Sequence, residues 1–163
     1  MKRLVRLVIN GDEQTVYLDT RRTLLDFLRG EAGLLGTHRG CDAGDCGACT
    51  VLLDGQPVTS CLVLAVDCEG AQVRTIEGVA QGGRLHPVQR QLIERGGIQC
   101  GFCTPGMVLS AVALLEENPR LDKAQVRQAL AGNLCRCTGY AKIVEAVLAA
   151  ADEIAAQATP RIG

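Results

Sequence analysis

From Leu4 to Ile9 the side chains alternate, with Val5, Leu7 and Ile9 set against Leu4, Arg6 and Val8, which is the period of a half-buried strand. Asn10-Gly11-Asp12 is a strong signal for a tight hairpin, and Thr15 to Leu18 reads as the returning strand. The period then becomes helical: Leu24, Leu25, Phe27 and Leu28 share a face that Thr23 can cap and Gly30 can end. Two further extended runs, Thr50 to Leu53 and Pro57 to Leu64, flank an Asp54-Gly55 turn, and Val73 to Ile76 makes a short last strand. Hairpin, helix, loop, hairpin and strand predict a small mixed sheet gripping one helix, the β-grasp arrangement.

Near residue 78 strand periodicity stops. His86 to Arg95 reads as a helix closed by Gly96-Gly97. Thr104 as N-cap and Pro105 at the first helical position open a second, with Met107, Val108, Ala111, Leu114 and Leu115 on one face. Asp122 and Gln125 form a capping box for a third, and Tyr140 to Ala156 carries a fourth on Ile143, Val144, Val147, Leu148, Ala151 and Ile154. Four short helices predict a bundle. The chain is therefore an α+β protein of two domains, 1–77 and 78–163, with a frayed tail from Thr159 to Gly163.

With 163 residues, 47% of them hydrophobic, such a chain can build its own core. A net charge of −1 and only four aromatic residues (Tyr17, Phe27, Phe102, Tyr140) leave no surface for neutralising phosphates or stacking bases, which excludes nucleic acid binding. No apolar run is long enough to span a bilayer. Met1-Lys-Arg-Leu-Val-Arg breaks its apolar residues with charge and offers no secretory h-region, so a reducing, cytoplasmic setting is expected. Nine cysteines in that setting point to metal rather than disulfides.

Eight of them fall into two groups. Cys41, Cys46 and Cys49, followed at a distance by Cys61, have the plant-type ferredoxin spacing of a [2Fe–2S] cluster, in which a neighbouring strand supplies the last thiolate. Gly40, Gly44 and Gly47 alternate with these ligands and let backbone N–H groups approach anionic sulfur. Structural zinc sites pair two short arms, which this group lacks. The second group, Cys100-Gly-Phe-Cys103 and Cys135-Arg-Cys137, sits before two helix N-termini, where free N–H groups and the macrodipole favour anions. Its spacing alone fits a cluster or a tetrahedral zinc site.

Cys68 is the cysteine left over and reads as a buried spectator. His38 and His86 lack the spacing of a Rieske centre and read as surface or packing residues. Asp42 and Asp45 read as a solvated acidic loop, and there is no nucleotide-binding fingerprint.

Three motifs together, Gly40-Cys41 to Thr50, Gln99-Cys-Gly-Phe-Cys-Thr-Pro-Gly-Met107 and Gly132-Asn-Leu-Cys-Arg-Cys-Thr-Gly-Tyr140, resemble the small iron–sulfur subunit of the molybdenum hydroxylases. That family includes xanthine dehydrogenase, aldehyde oxidoreductase, aerobic-type carbon monoxide dehydrogenase and 4-hydroxybenzoyl-CoA reductase. The resemblance implies a β-grasp domain with one [2Fe–2S] cluster on Cys41, Cys46, Cys49 and Cys61, and a helical domain with another on Cys100, Cys103, Cys135 and Cys137. It further implies a large partner subunit with a molybdenum–pterin cofactor and a medium one with FAD, arranged as a dimer of heterotrimers. In that assembly electrons pass between molybdenum and FAD through this chain, and Gln99 and Cys137 approach the pterin.

Overall fold

In the computed structural model, which describes residues 1–158, the N-terminal alternation becomes β1 (Lys2–Ile9), paired antiparallel with β2 (Asp12–Asp19). Asn10 (φ 53°) and Gly11 (φ 93°) turn the hairpin, as a two-residue turn between twisted strands demands. Val5, Leu7 and Ile9 are buried. Thr23 accepts a hydrogen bond from Asp26 N–H (3.1 Å) and starts α1 (Leu24–Arg29). After a long irregular segment come β3 (Thr50–Leu53), β4 (Gln56–Thr59) and β5 (Gln72–Arg74). The sheet order is β2-β1-β5-β3-β4, with β1 parallel to β5 and the other pairs antiparallel.

Strand alternation gives this sheet two unlike faces. Val51 turns to the α1 side and joins Val5, Leu7, Leu24, Phe27, Leu28 and Val73 in one core. Its neighbour Leu52 turns to the other side and joins the helical core of Leu92, Met107, Leu109, Val112, Val126, Ile143 and Val147. At about 1.5–3 kcal/mol for each such side chain removed from water, both cores are substantial. One strand thus serves two cores.

The helices are α2 (Pro87–Glu94), α3 (Thr104–Glu117), α4 (Lys123–Ala129) and α5 (Ala141–Ala158). The Asp122 box is present: its carboxylate accepts from Gln125 N–H (2.8 Å), and the Gln125 side chain accepts from Asp122 N–H (2.9 Å). His86 is not a bystander. It caps α2 with Nδ1 accepting from Val88 N–H (3.2 Å), while the Gln89 side chain accepts from His86 N–H (3.0 Å). Burial lowers the His86 pKa, which favours the neutral ring this cap requires.

Several boundaries differ from the sequence reading. The extended run expected over 57–64 ends at Thr59, where a 3₁₀ turn, Ser60–Leu62, begins. The strand expected over 73–76 ends at Arg74, and a 3₁₀ turn follows at Ile76–Gly78. Thr104 is the first residue of α3 and Cys103 occupies the cap position, without a side-chain hydrogen bond. The expected tail, Thr159 to Gly163, lies outside the described residues. Among the described residues no helix is long and apolar enough to cross a membrane.

Candidate metal centres

Cys41, Cys46 and Cys49 lie on the loop between α1 and β3, and Cys61 is delivered by the 3₁₀ turn rather than by a strand. The cause is local: Ser60 folds back on the loop, donating both its hydroxyl (2.7 Å) and its N–H (3.3 Å) to the Cys49 carbonyl. Cys49 and Cys61 consequently lie side by side, buried against Leu25 of α1. Cys46 is half-buried and Cys41 is at the rim. The loop has no room for side chains where it passes its own thiols. A Cβ on Gly40 would sit 2.6 Å from Cys46 Sγ. Arg39 pairs with both Asp26 of α1 and Asp42, which fastens the start of the loop to the helix; Asp42 is therefore paired rather than simply solvated.

The loop also points donors at sulfur. Ala43 N–H reaches Cys41 Sγ at 3.4 Å. This bond, followed by others from Cys46 and Asp45, lowers the Cys41 pKa to about 7, so the thiolate is favoured at the rim. Burial instead pushes the deeper Cys61 up to about 11, with Cys49 beside it adding to the effect. A buried thiolate here therefore requires a positive partner.

The second group is assembled at two helix starts. Cys100 and Cys103 immediately precede α3, and Cys135 and Cys137 precede α5. Cys135 is fixed from both ends of its residue: its N–H donates to Tyr140 Oη (2.8 Å), and its sulfur meets Thr138 Oγ1 (3.1 Å). Burial opposes ionisation of Cys135, but the Thr138 hydroxyl and nearby N–H groups outweigh it and bring the pKa to about 7. Cys103, half-buried, is raised to about 12 by burial first and by Cys135 second. Gln99, Cys100 and Cys137 are all exposed on the outer rim.

The thiols of each group gather together: Cys41 with Cys46, Cys61 with Cys49 and Cys103 with Cys135 influence each other's ionisation, and the sulfurs of Cys100 and Cys137 lie 3.5 Å apart. That separation is far from a disulfide, at about 2.05 Å. It is close to the roughly 3.8 Å edge of a tetrahedron around a metal holding sulfur at about 2.3 Å. Among the described residues no three His, Cys, Asp or Glu side chains close on a single-ion point.

Cys68 belongs to neither group. It is fully buried in the sheet core, its S–H directed at the Leu64 carbonyl (3.7 Å), and burial raises its pKa to about 11. The sequence reading missed that the two loops touch. Leu134 N–H donates to the Cys46 carbonyl (2.9 Å). His38 stacks on Phe102 with ring centroids 4.8 Å apart, and His38 Nδ1 lies 2.7 Å from the Phe102 carbonyl.

Residues 7–74 match the family of the 2Fe-2S iron–sulfur cluster binding domain, and residues 75–148 that of the [2Fe-2S] binding domain. The chain is 50% identical over 146 residues to the nicotine 6-hydroxylase small subunit of Paenarthrobacter nicotinovorans, covering 90% of this chain and 88% of that one. It is 44% identical over 151 residues to the nicotinate dehydrogenase small FeS subunit of Eubacterium barkeri, covering 93% and 96%. Among solved structures, quinoline 2-oxidoreductase from Pseudomonas putida 86 superposes with a TM-score of 0.91 at 43% identity, covering 96% of this chain and 98% of that one.

Proposed function

Because the chain belongs to the small iron–sulfur subunits of the molybdenum hydroxylases, we propose that it carries electrons between a molybdenum–pterin site on a large partner subunit and FAD on a medium one. Cys41, Cys46, Cys49 and Cys61 hold one [2Fe–2S] cluster in this reading, and Cys100, Cys103, Cys135 and Cys137 hold the other. Each cluster, when bound, supplies a one-electron acceptor and donor. The observation that carries the proposal is the gathering of eight thiols into two groups of four, with the Cys100 and Cys137 sulfurs 3.5 Å apart.

The chain's own residues perform three tasks. Cys103 and Cys135 anchor the inner side of the helical site, while Cys100 and Cys137 face outward beside Gln99, where the pterin would approach. At the start of α3 the Thr104 N–H is taken by the Gly101 carbonyl and Pro105 has none, so it is the positive end of the helix dipole that favours the negative charge of thiolate-held iron. Leu25, Cys49 and Cys61 keep water from the inner side of the sheet site. The domain division falls at 77/78, the complex is a cytoplasmic dimer of heterotrimers, and the substrate pocket lies on the large subunit.

The test is ligand replacement in the assembled complex, with iron assayed in every preparation. Cys46→Ser should leave substrate-dependent reduction of the helical site intact and slow flavin reduction sharply. Cys103→Ser should leave both the sheet site and the flavin oxidised. Rapid flavin reduction in a Cys103→Ser complex verified to lack its helical cluster contradicts the proposal.

A further inference from the structure

Asn133, two residues before Cys135, is only 4% exposed, although its side chain is an uncharged amide with four hydrogen-bonding positions. Three partners fill three of them. Ser110 of α3 donates its hydroxyl to Asn133 Oδ1 (2.7 Å), and Asn133 Nδ2 donates to the Gly47 carbonyl (3.0 Å) and to Thr50 Oγ1 (3.1 Å). The Gly47 carbonyl can only accept, so the amide has one orientation. Thr50 closes the network by donating its own hydroxyl to the same carbonyl (2.7 Å). Ser110 and Thr50 are each 5% exposed, so this is a dry polar network inside the junction of the two halves. In such a setting a half-made network is strongly disfavoured, which fixes the geometry.

The network holds three backbones close together. A Cβ on Gly47 would collide with the Gly132 carbonyl, and one on Gly106 would collide with the Gly47 carbonyl and come to 3.0 Å from Asn133 Nδ2. The residues next to these contacts are Cys46 and Leu134, whose carbonyl and N–H meet at 2.9 Å. One hydrogen bond therefore separates the residue Cys46 from the residue preceding Cys135.

We propose that Asn133 is a positioning residue for electron exchange between the two cysteine groups: by clamping the Gly47 peptide to Ser110, it keeps the Cys46 carbonyl on the Leu134 amide and so sets the separation and electronic contact of the two sites. The proposal rests on the reading that both groups hold [2Fe–2S] clusters. One electron crosses per event, oxidising the helical site by one and reducing the sheet site by one. No proton moves and no bond breaks; the reducing equivalents come from substrate oxidation on the partner, or from dithionite in vitro.

The experiment uses the assembled complex with Asn133→Ala, Asn133→Asp, Ser110→Ala and the hydroxyl-retaining Ser110→Thr. Iron content and the individual EPR signal of each reduced site establish that both clusters are present; their absence from the unsubstituted complex would defeat the functional reading and this inference with it, while their presence leaves the inference alone on trial. With both present, Asn133→Ala and Asn133→Asp should change the spin–spin splitting between the two reduced sites. They should also slow reduction of the sheet site after the helical site several-fold, because electron tunnelling falls off exponentially with separation, while KM for substrate stays put. Ser110→Ala should shift the splitting in the same direction and Ser110→Thr should restore it. Unchanged splitting and rate in an iron-replete Asn133 variant overturn the proposal. If the Asn133 variants lose iron, an iron-replete Ser110→Ala complex with unchanged splitting overturns it equally.

Discussion

Gly47→Ala isolates the energy that joins the two halves. Gly47 has φ 68°, and an added Cβ would fall within 3.0 Å of the Gly132 carbonyl, Asn133 Nδ2 and Asn133 Cα. The left-handed conformation alone costs an L-residue about 1–2 kcal/mol, reduced by up to about 1 kcal/mol because alanine stiffens the unfolded chain. Gly55→Ala measures that sum in isolation, because Gly55 has φ 82° with nothing within 4 Å of its Cβ. At Gly47 the collision adds to it. Relief requires the 132–134 turn to withdraw, which breaks Asn133 Nδ2 to Gly47 O and Leu134 N to Cys46 O. Each bond contributes about 0.5–1.5 kcal/mol, and the buried amide left unpaired costs about 1–3 kcal/mol more. The expected loss is about 1 kcal/mol for Gly55→Ala and about 3–7 kcal/mol for Gly47→Ala. Gly106→Ala should share that second mechanism, so the Gly47→Ala/Gly106→Ala pair should cost much less than the two single changes added together. Urea unfolding followed by far-ultraviolet circular dichroism reads all four variants. Equal stability of Gly47→Ala and Gly55→Ala would refute the argument.

Two other outcomes follow from the same packing. Cys68→Ala should retain full iron and both cluster signals at a cost of about 1 kcal/mol for the lost buried atom, and loss of iron would show that the ligand set is wrong. The Asp26 carboxyl is pushed up by burial, but hydrogen bonds from Arg39 and Thr23 outweigh this and hold it below its ordinary value. Its contribution is therefore present above the unfolded pKa of about 3.9 and is lost as pH falls through the folded value. Asp26→Asn should cost at most about 1 kcal/mol near pH 7, with the difference from the unsubstituted protein shrinking below about pH 4 in denaturant titrations; a pH-independent difference contradicts the Arg39 clamp.

Local signals were legible and tertiary ones were not. Alternation over Leu4 to Ile9, the Thr23 cap and the Asp122–Gln125 box each appear as read, because each is set within a few residues. The four helices also stand where their apolar period placed them. Cys61 lies on a 3₁₀ turn because Ser60 bonds to Cys49, a contact across the loop that no period of two reveals. His86 carries a cap seldom made by histidine, so the residue type concealed the role. Asn133 sits inside a motif visible in the sequence, yet its partners Gly47 and Thr50 lie more than 80 residues away. The pairing of His38 with Phe102 is likewise long-range. What was hidden is the junction between the two cysteine groups, where the sequence motifs are separate and the fold is not.

The most direct test of two clusters on one chain is spin-quantified EPR of the dithionite-reduced protein, alongside its iron and acid-labile sulfide. About four irons and four sulfides per chain are expected, with two distinguishable signals that each integrate to about one spin. Zinc in place of iron, or one signal only from a chain with all eight cysteines intact, would contradict the two-cluster reading.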